Sequence, residues 1–328
     1  MMFALMSADS QQDFALAFLS ILFEGAPFIL LGTLISGFID VYLPPGTMDR
    51  FLPRNRKGAV LVAGLLGAVF PVCECAVVPV IRRLVSKGLP VSCALTYMLA
   101  APIVNPITAL STWKAFQGQS AGMMTSSRML LGFLLAVGVG LIVMRLPLAA
   151  VLKKNLVDSL KDKKSTKEPT CCGGHDHSHH MHDSPKPNGG DRLVSAFRSA
   201  MKDFVDVGVY FAIGVTITAL FNTGIAPGAT WLDGLATNTM GAPAALMSLA
   251  FILSLCSTSD AFIAATLDKF SWGAKLAFLT FGPMMDVKLL FLYQTVLRKR
   301  FIGYLAIGLF VAIGVITIIW QHQLFQAR

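Results

Sequence analysis

Between Phe301 and Trp320 the chain runs for twenty residues without a charged side chain. A helix of that length crosses the roughly 30 Å hydrocarbon core of a bilayer. Backbone polar groups in lipid must be satisfied inside the protein, so only helices and closed barrels can span it. Further apolar runs lie near 14–43, 58–81, 89–113, 129–149, 204–222, 241–266 and 273–296. With 55% hydrophobic and only 14% charged residues, the pattern predicts an all-α polytopic membrane protein. The formal charge of +9 sits in short segments between apolar runs, as orientation signals do. That placement argues for lipid and against nucleic acid as a partner. Residues Met1 to Phe14 carry Asp9 and Asp13 and no basic region, unlike a cleaved signal peptide.

The two halves resemble each other at a nearly constant offset. Cys75, Pro102 and Asn105 recur 181 positions later as Cys256, Pro283 and Asp286. Glu24, Gly32 and Pro45-Gly46 recur 182 positions later as Asp206, Gly214 and Pro227-Gly228. Shared order and offset argue for a duplicated unit of four hydrophobic segments. The chain then divides into a first membrane repeat (1–149), a polar linker (150–195) and a second membrane repeat (196–328). Arg50, Arg54, Arg56 and Lys57 precede the second apolar run, and Arg82, Arg83 and Lys87 follow it. A re-entrant segment keeps both groups on the cytoplasmic side, with the Lys-rich linker and Arg298-Lys299-Arg300. Lys114, Arg128, Lys269, Lys275 and the C-terminal Arg328 are left for the outer side. Three spans and one re-entrant segment per half make the repeats inverted; eight simple spans are the alternative.

Cys73-Glu74-Cys75 interrupts one apolar run, between Pro71 and Pro79. Ionisable residues inside membranes are expensive and usually functional. Two cysteines so spaced on a regular helix point to opposite faces, whereas an unwound segment, favoured by the prolines, lets both sulfurs reach one ligand. Soft thiolates suit Cu(I), Zn(II) and other thiophilic ions or metalloids. Cys256, the repeat equivalent of Cys75, supplies a third sulfur in Cys256-Ser257-Thr258-Ser259-Asp260; taken alone, it and Cys93 read as small apolar fillers. Ser257 and Thr258 add hydroxyls that line a polar path or bond to helix carbonyls. Glu24, Glu74, Asp206, Asp260 and Asp286 are the intramembrane acids, with Glu74 and Asp260 leading as counter-charges or proton acceptors; Asp286 with Lys288 is also a plausible structural pair. Asn105 and Asp286 each follow a proline-broken stretch, as kinks or as parts of a shared substrate pathway.

The linker holds Cys171, Cys172, His175, His177, His179, His180 and His182, five of the chain's six histidines within eight residues. Imidazole with thiol suits Zn and Cu, so this tract reads as a cytosolic metal collector distinct from the transport site. Four of the six cysteines lie in apolar segments, against a disulfide framework.

Pro71, Cys73-Glu74-Cys75, Pro79, Arg82-Arg83, Lys87-Gly88, Ala100-Ala101-Pro102, Asn105-Pro106 and Ser257-Thr258-Ser259-Asp260-Ala261-Phe262 together resemble the bacterial predicted permease family. That family includes the ArsP organoarsenical exporters. The resemblance spans nearly all of the membrane part and implies a multi-pass inner-membrane permease for thiophilic metal or metalloid compounds, as in arsenical resistance. The His-rich linker departs from a plain arsenical exporter and looks like the branch thought to export copper or zinc. The expectation is an alternating-access exporter, proton-coupled because no Walker A motif occurs, with no required cofactor, Cu or Zn as bound species, and an open oligomeric state. A membrane thiol redox enzyme or protease is disfavoured by the lack of Cys-x-x-Cys, His-Glu-x-x-His and Gly-x-Gly-Asp motifs. A passive channel is the remaining alternative.

Overall fold

The computed structural model describes residues 8–44, 53, 55–70, 72–153, 189–225 and 241–325. The linker set from Cys171 to His182, Pro71, Arg50, Arg54, Pro45-Gly46 and Pro227-Gly228 lie outside the described residues. Within them the chain is helical, and no β-strand forms.

A long helix, α1 (Ala8–Tyr42), opens the chain. Two interrupted pairs follow: α2 (Arg56–Val69) with α3 (Glu74–Ser86), then α4 (Val91–Ala100) with α5 (Pro106–Ala115). A second long helix, α6 (Ala121–Val143), and a short turn, α7 (Leu148–Val151), complete this part. The same order recurs as long α8 (Gly189–Ile225), α9 (Gly241–Leu253) with α10 (Asp260–Thr266), α11 (Trp272–Met284) with α12 (Val287–Tyr293), and long α13 (Lys299–Trp320). Among the described residues five segments are long and apolar enough to cross a membrane: 11–42, 121–143, 192–220, 272–293 and 299–323. Four of them present apolar outer faces, whereas 272–293 is almost wholly buried. On α13, Tyr304, Ile307, Val311 and Val315 are exposed while Ile302, Leu305, Leu309 and Ile313 are buried, as expected of a helix with protein on one side and lipid on the other.

The breaks have local causes. Asn105 and Asp286 each cap the helix that follows: Ile107 N–H donates to Asn105 Oδ1 at 2.9 Å and Leu289 N–H to Asp286 Oδ1 at 2.7 Å. Pro106 at the first position of α5 lacks only an N–H that would be orphaned there. The Asn/Asp equivalence between halves is thus, first of all, an equivalence of caps.

Helix directions follow from close approaches. Along α1, Gly32 meets Ala76, Ser36 Oγ donates to the Pro79 carbonyl, and Asp40 pairs with Arg83, so α1 and α3 run the same way. A Cβ on Gly32 would lie 2.5 Å from the Ala76 carbonyl oxygen; only glycine permits that approach. Gly214 on α8, 182 positions later, makes a close approach to a different element, where a Cβ would lie 2.8 Å from Lys288 Cα on α12. Gly37 meets Ala196 and Ala200 while Gly25 meets Phe211, so α1 and α8 are antiparallel. Val60 and Ser92 both flank Gly140, and Gly67 meets Ala101, so α2 runs with α4. The Lys87–Pro90 turn joins α3 to α4, and α2 and α3 are two short arms separated by the break at Cys73. Each arm is about 20 Å long, shorter than a full span.

Three expectations are corrected. Pro79 does not unwind its segment but lies inside α3, so the non-helical stretch ends at Cys73; the proline merely cannot donate to the Cys75 carbonyl. The fourth apolar run begins at Ala121, not near 129, which moves Arg128 from a loop into α6. Lys275 likewise is buried, between the Trp272 and Phe116 rings.

Candidate functional site

The two breaks at Cys73 and at Ser254–Ser259 meet beside the middle of α1. Cys73 caps α3 in an extended conformation (φ −68°, ψ 162°), and Glu74 and Cys75 begin the helix. Cys73, Glu74 and Cys75 line one cleft with Cys256, Lys288 and Glu24, walled by Ile21, Phe28 and Phe211. The thiols are free; Cys75 is buried, while Cys73 and Cys256 are half-buried. Thr258 Oγ1 donates to Cys256 Sγ at 3.7 Å, and Ser259 Oγ to Glu24 Oε1 at 3.2 Å. The cleft interior is about 10 Å³, close to the space of one water molecule. Among the described residues no three His, Cys, Asp or Glu side chains converge as a metal centre. The sulfurs share a cleft without forming a closed coordination shell.

Two buried cations, neither assigned to the site by sequence, organise this region. Lys288 Nζ lies 3.3 Å from Glu74 Oε1 and 3.6 Å from Asp286 Oδ2. It also donates to the carbonyls of Ser254 at 2.9 Å and Leu255 at 3.4 Å. One ammonium therefore faces two carboxylates, and Glu74 Oε2 and Asp286 Oδ2 have no hydrogen-bond partner. Asp286 with Lys288 is the structural pair that the sequence offered as an alternative. Arg128 pairs with Asp260 Oδ2 at 2.7 Å and donates to the Ser257 carbonyl at 3.0 Å and to Thr112 Oγ1 at 2.7 Å.

The two pairs are reciprocal. Glu74 and Asp260 are each the first residue of the helix after a break, where the helix dipole favours an acid. Each binds a cation from the other half of the chain. Asn105, by contrast, is outside the cleft and acts as a cap. Asp206 lies on a more exposed pair with Arg82, 3.6 Å apart. A further network joins Arg83 to Asp40, Asp203 and Ser199 at the end of α3, so this arginine ties α1, α3 and α8 together besides carrying charge. Cys93 is buried in a small separate core cluster with Val60 and Val137, a packing residue.

Chemically, the cleft offers soft sulfur atoms and a surplus carboxylate at the middle of a long apolar helix. That combination suits a thiophilic cation or a proton.

The family described as "Predicted permease" matches residues 11–322 of this chain. The chain is 36% identical over 288 residues to "UPF0718 protein YcgR" of Bacillus subtilis, covering 87% of this chain and 89% of that protein. It is 34% identical over 286 residues to a "Putative two-component membrane permease complex subunit" of Streptococcus mutans, covering 87% of each. No solved structure matches it.

Proposed function

The chain belongs to the Predicted permease family, and from that premise we propose that it exports a thiophilic metal or metalloid species, Cu or Zn ions or trivalent arsenicals, across the bacterial inner membrane. One observation carries the reading: Cys73, Glu74 and Cys75 from one break and Cys256 from the other line a single cleft. Cys73, Cys75 and Cys256 are the proposed ligands, with Glu74, Asp260 and Asp286 as counter-charges or proton acceptors.

The halves are proposed to be inverted repeats that rock about this cleft in alternating access. The antiparallel packing of the repeat-equivalent helices α1 and α8 supports an inverted relation, since parallel repeats would align them. A cleft closed to about the size of one water favours a carrier over an open channel. Because the thiols form no closed shell in this state, substrate binding draws the two breaks together. The basic ends of α2, α3 and α13 face the cytoplasm in this reading, as does the Cys171–His182 tract, which collects metal there. The name of the Streptococcus mutans relative suggests a second chain as a partner.

Metal accumulation in cells carrying the chain tests the site. Replacing Cys73→Ser with Cys75→Ser abolishes export and resistance to the transported species; wild-type resistance in that double variant refutes the thiol site.

A further inference from the structure

The Ser254–Ser259 stretch carries Cys256 outside a helix, although the Cys256 carbonyl accepts from the Ser259 and Asp260 N–H groups, at 3.0 Å each, where α10 begins. The stretch leaves α9 through Ser254, whose φ of 48° is left-handed, a conformation that non-glycine residues adopt uncommonly. Carbonyls freed by such a break must be satisfied inside the protein, and here side chains do so. Lys288 takes the Ser254 and Leu255 oxygens, and Arg128 takes that of Ser257. Cys256 is the residue between the two grips.

Arg128 is 1% exposed and reaches three elements at once. One terminal nitrogen donates to Thr112 on α5, and the other to Ser257 and to Asp260 at the start of α10. Charge balance with Asp260 alone needs one of these contacts. The remaining ones use the rigid fork of a guanidinium, which an ammonium cannot reproduce.

We infer that Arg128 is a positioning residue for Cys256: through the Ser257 carbonyl and Asp260, the first half of the chain sets where the second half's thiol stands. Thr112 anchors the guanidinium from the far side, so a shift of α5 and α6 against α12 moves the peptide that carries the sulfur. Lys288 holds the other flank from within the second half. The consequence for transport rests on Cys256 being a substrate ligand, as proposed above; the placement of the thiol does not.

The test uses the full chain with Cys256 as its sole cysteine, reconstituted in liposomes and alkylated with N-ethylmaleimide. Arg128→Met with Asp260→Leu removes both buried charges together, which buried ion pairs tolerate far better than loss of one partner. Arg128→Lys retains both charges. Both variants are expected to alkylate faster than the parent, by about tenfold for the first, the scale of one lost hydrogen bond to a charged donor. If Arg128 only balances charge, both label at the parental rate, and that result overturns the inference.

A second measurement follows Cd²⁺ binding by thiolate charge-transfer absorbance, with Cys93, Cys171 and Cys172 replaced by serine. Arg128→Lys and Cys256→Ser are expected to weaken binding non-additively, because they disturb one ligand; fully additive losses count against positioning. Should Cys256→Ser leave Cd²⁺ affinity unchanged, Cys256 is not a ligand of the thiol site, while the alkylation rates still decide the role of Arg128.

Discussion

Two cations buried in one membrane fold are balanced differently. Arg128 meets a single carboxylate, Asp260, and directs its other donors to the neutral oxygens of Thr112 and Ser257. Lys288 meets two carboxylates, Glu74 and Asp286, besides the carbonyls of Ser254 and Leu255. The arginine group sums to neutrality; the lysine group carries one acid in surplus. A neutral, many-armed contact behaves as a clamp. A group with a spare carboxylate beside free thiols has room for a further positive charge, and its Lys288 and Glu74 line the cleft.

The largest effect should come from removing the cations themselves. Breaking a buried pair by deleting one partner costs about 3–5 kcal/mol. Arg128→Met strands one carboxylate and Lys288→Met strands two, so the lysine variant loses more. Thermal inactivation of the detergent-solubilised chain ranks them. Equal losses would mean that Asp286 draws its stability from the Leu289 N–H rather than from Lys288, and the contrast between the groups would weaken.

Removing acids separates the groups more sharply. Asp260→Asn strands Arg128 and is expected to destabilise by about 3 kcal/mol. Glu74→Gln leaves Lys288 with Asp286 and the two carbonyls, so its cost stays near that of one hydrogen bond, about 1 kcal/mol. On the proposed function, the folded Glu74→Gln protein should nonetheless lose metal export. Thermal inactivation measured alongside whole-cell metal accumulation checks both statements, and a Glu74→Gln variant that unfolds like Asp260→Asn would show that Glu74 is the principal partner of Lys288.

The sequence made the helical class legible through uncharged runs, and the breaks through Asn105-Pro106 and the Cys-Glu-Cys triplet, while Pro283, like Pro79, lies inside its helix. Cys256 stood out because the repeat pointed to it, and it lines the same cleft as Cys73 and Cys75. The sequence assigns Arg128 to the outer side, because the apolar run reads as starting near 129, after the polar residues Thr125, Ser126 and Ser127. Such hydroxyls can bond to carbonyls of the preceding turn, as Ser126 does to Met123 at 3.2 Å, which lets a helix continue through polar residues. Lys288 was visible as a charge but its site role was not. Glu74 lies 214 positions away, and no local pattern encodes a contact of that range. Pro79 misled because a proline is a poor guide to a break when tertiary packing, here the Gly32–Ala76 approach and the Ser36 bond to its carbonyl, holds the helix through it.

The smallest predicted effect concerns the position where the halves look most alike. Asn105 and Asp286 cap α5 and α12 through equivalent side-chain acceptors, but only Asp286 also faces a cation. Asn105→Ala removes a cap alone and is expected to cost about 1 kcal/mol. Asp286→Asn keeps an acceptor for the Leu289 N–H and leaves Lys288 paired with Glu74, so it should be milder than Asp286→Ala. The difference between those two variants then isolates the cap in the second half, and it should match the Asn105→Ala loss in the first. If Asp286→Asn destabilises as much as Asp286→Ala, the charge outweighs the cap at that position. The two halves would then have diverged in physics where their structures still coincide.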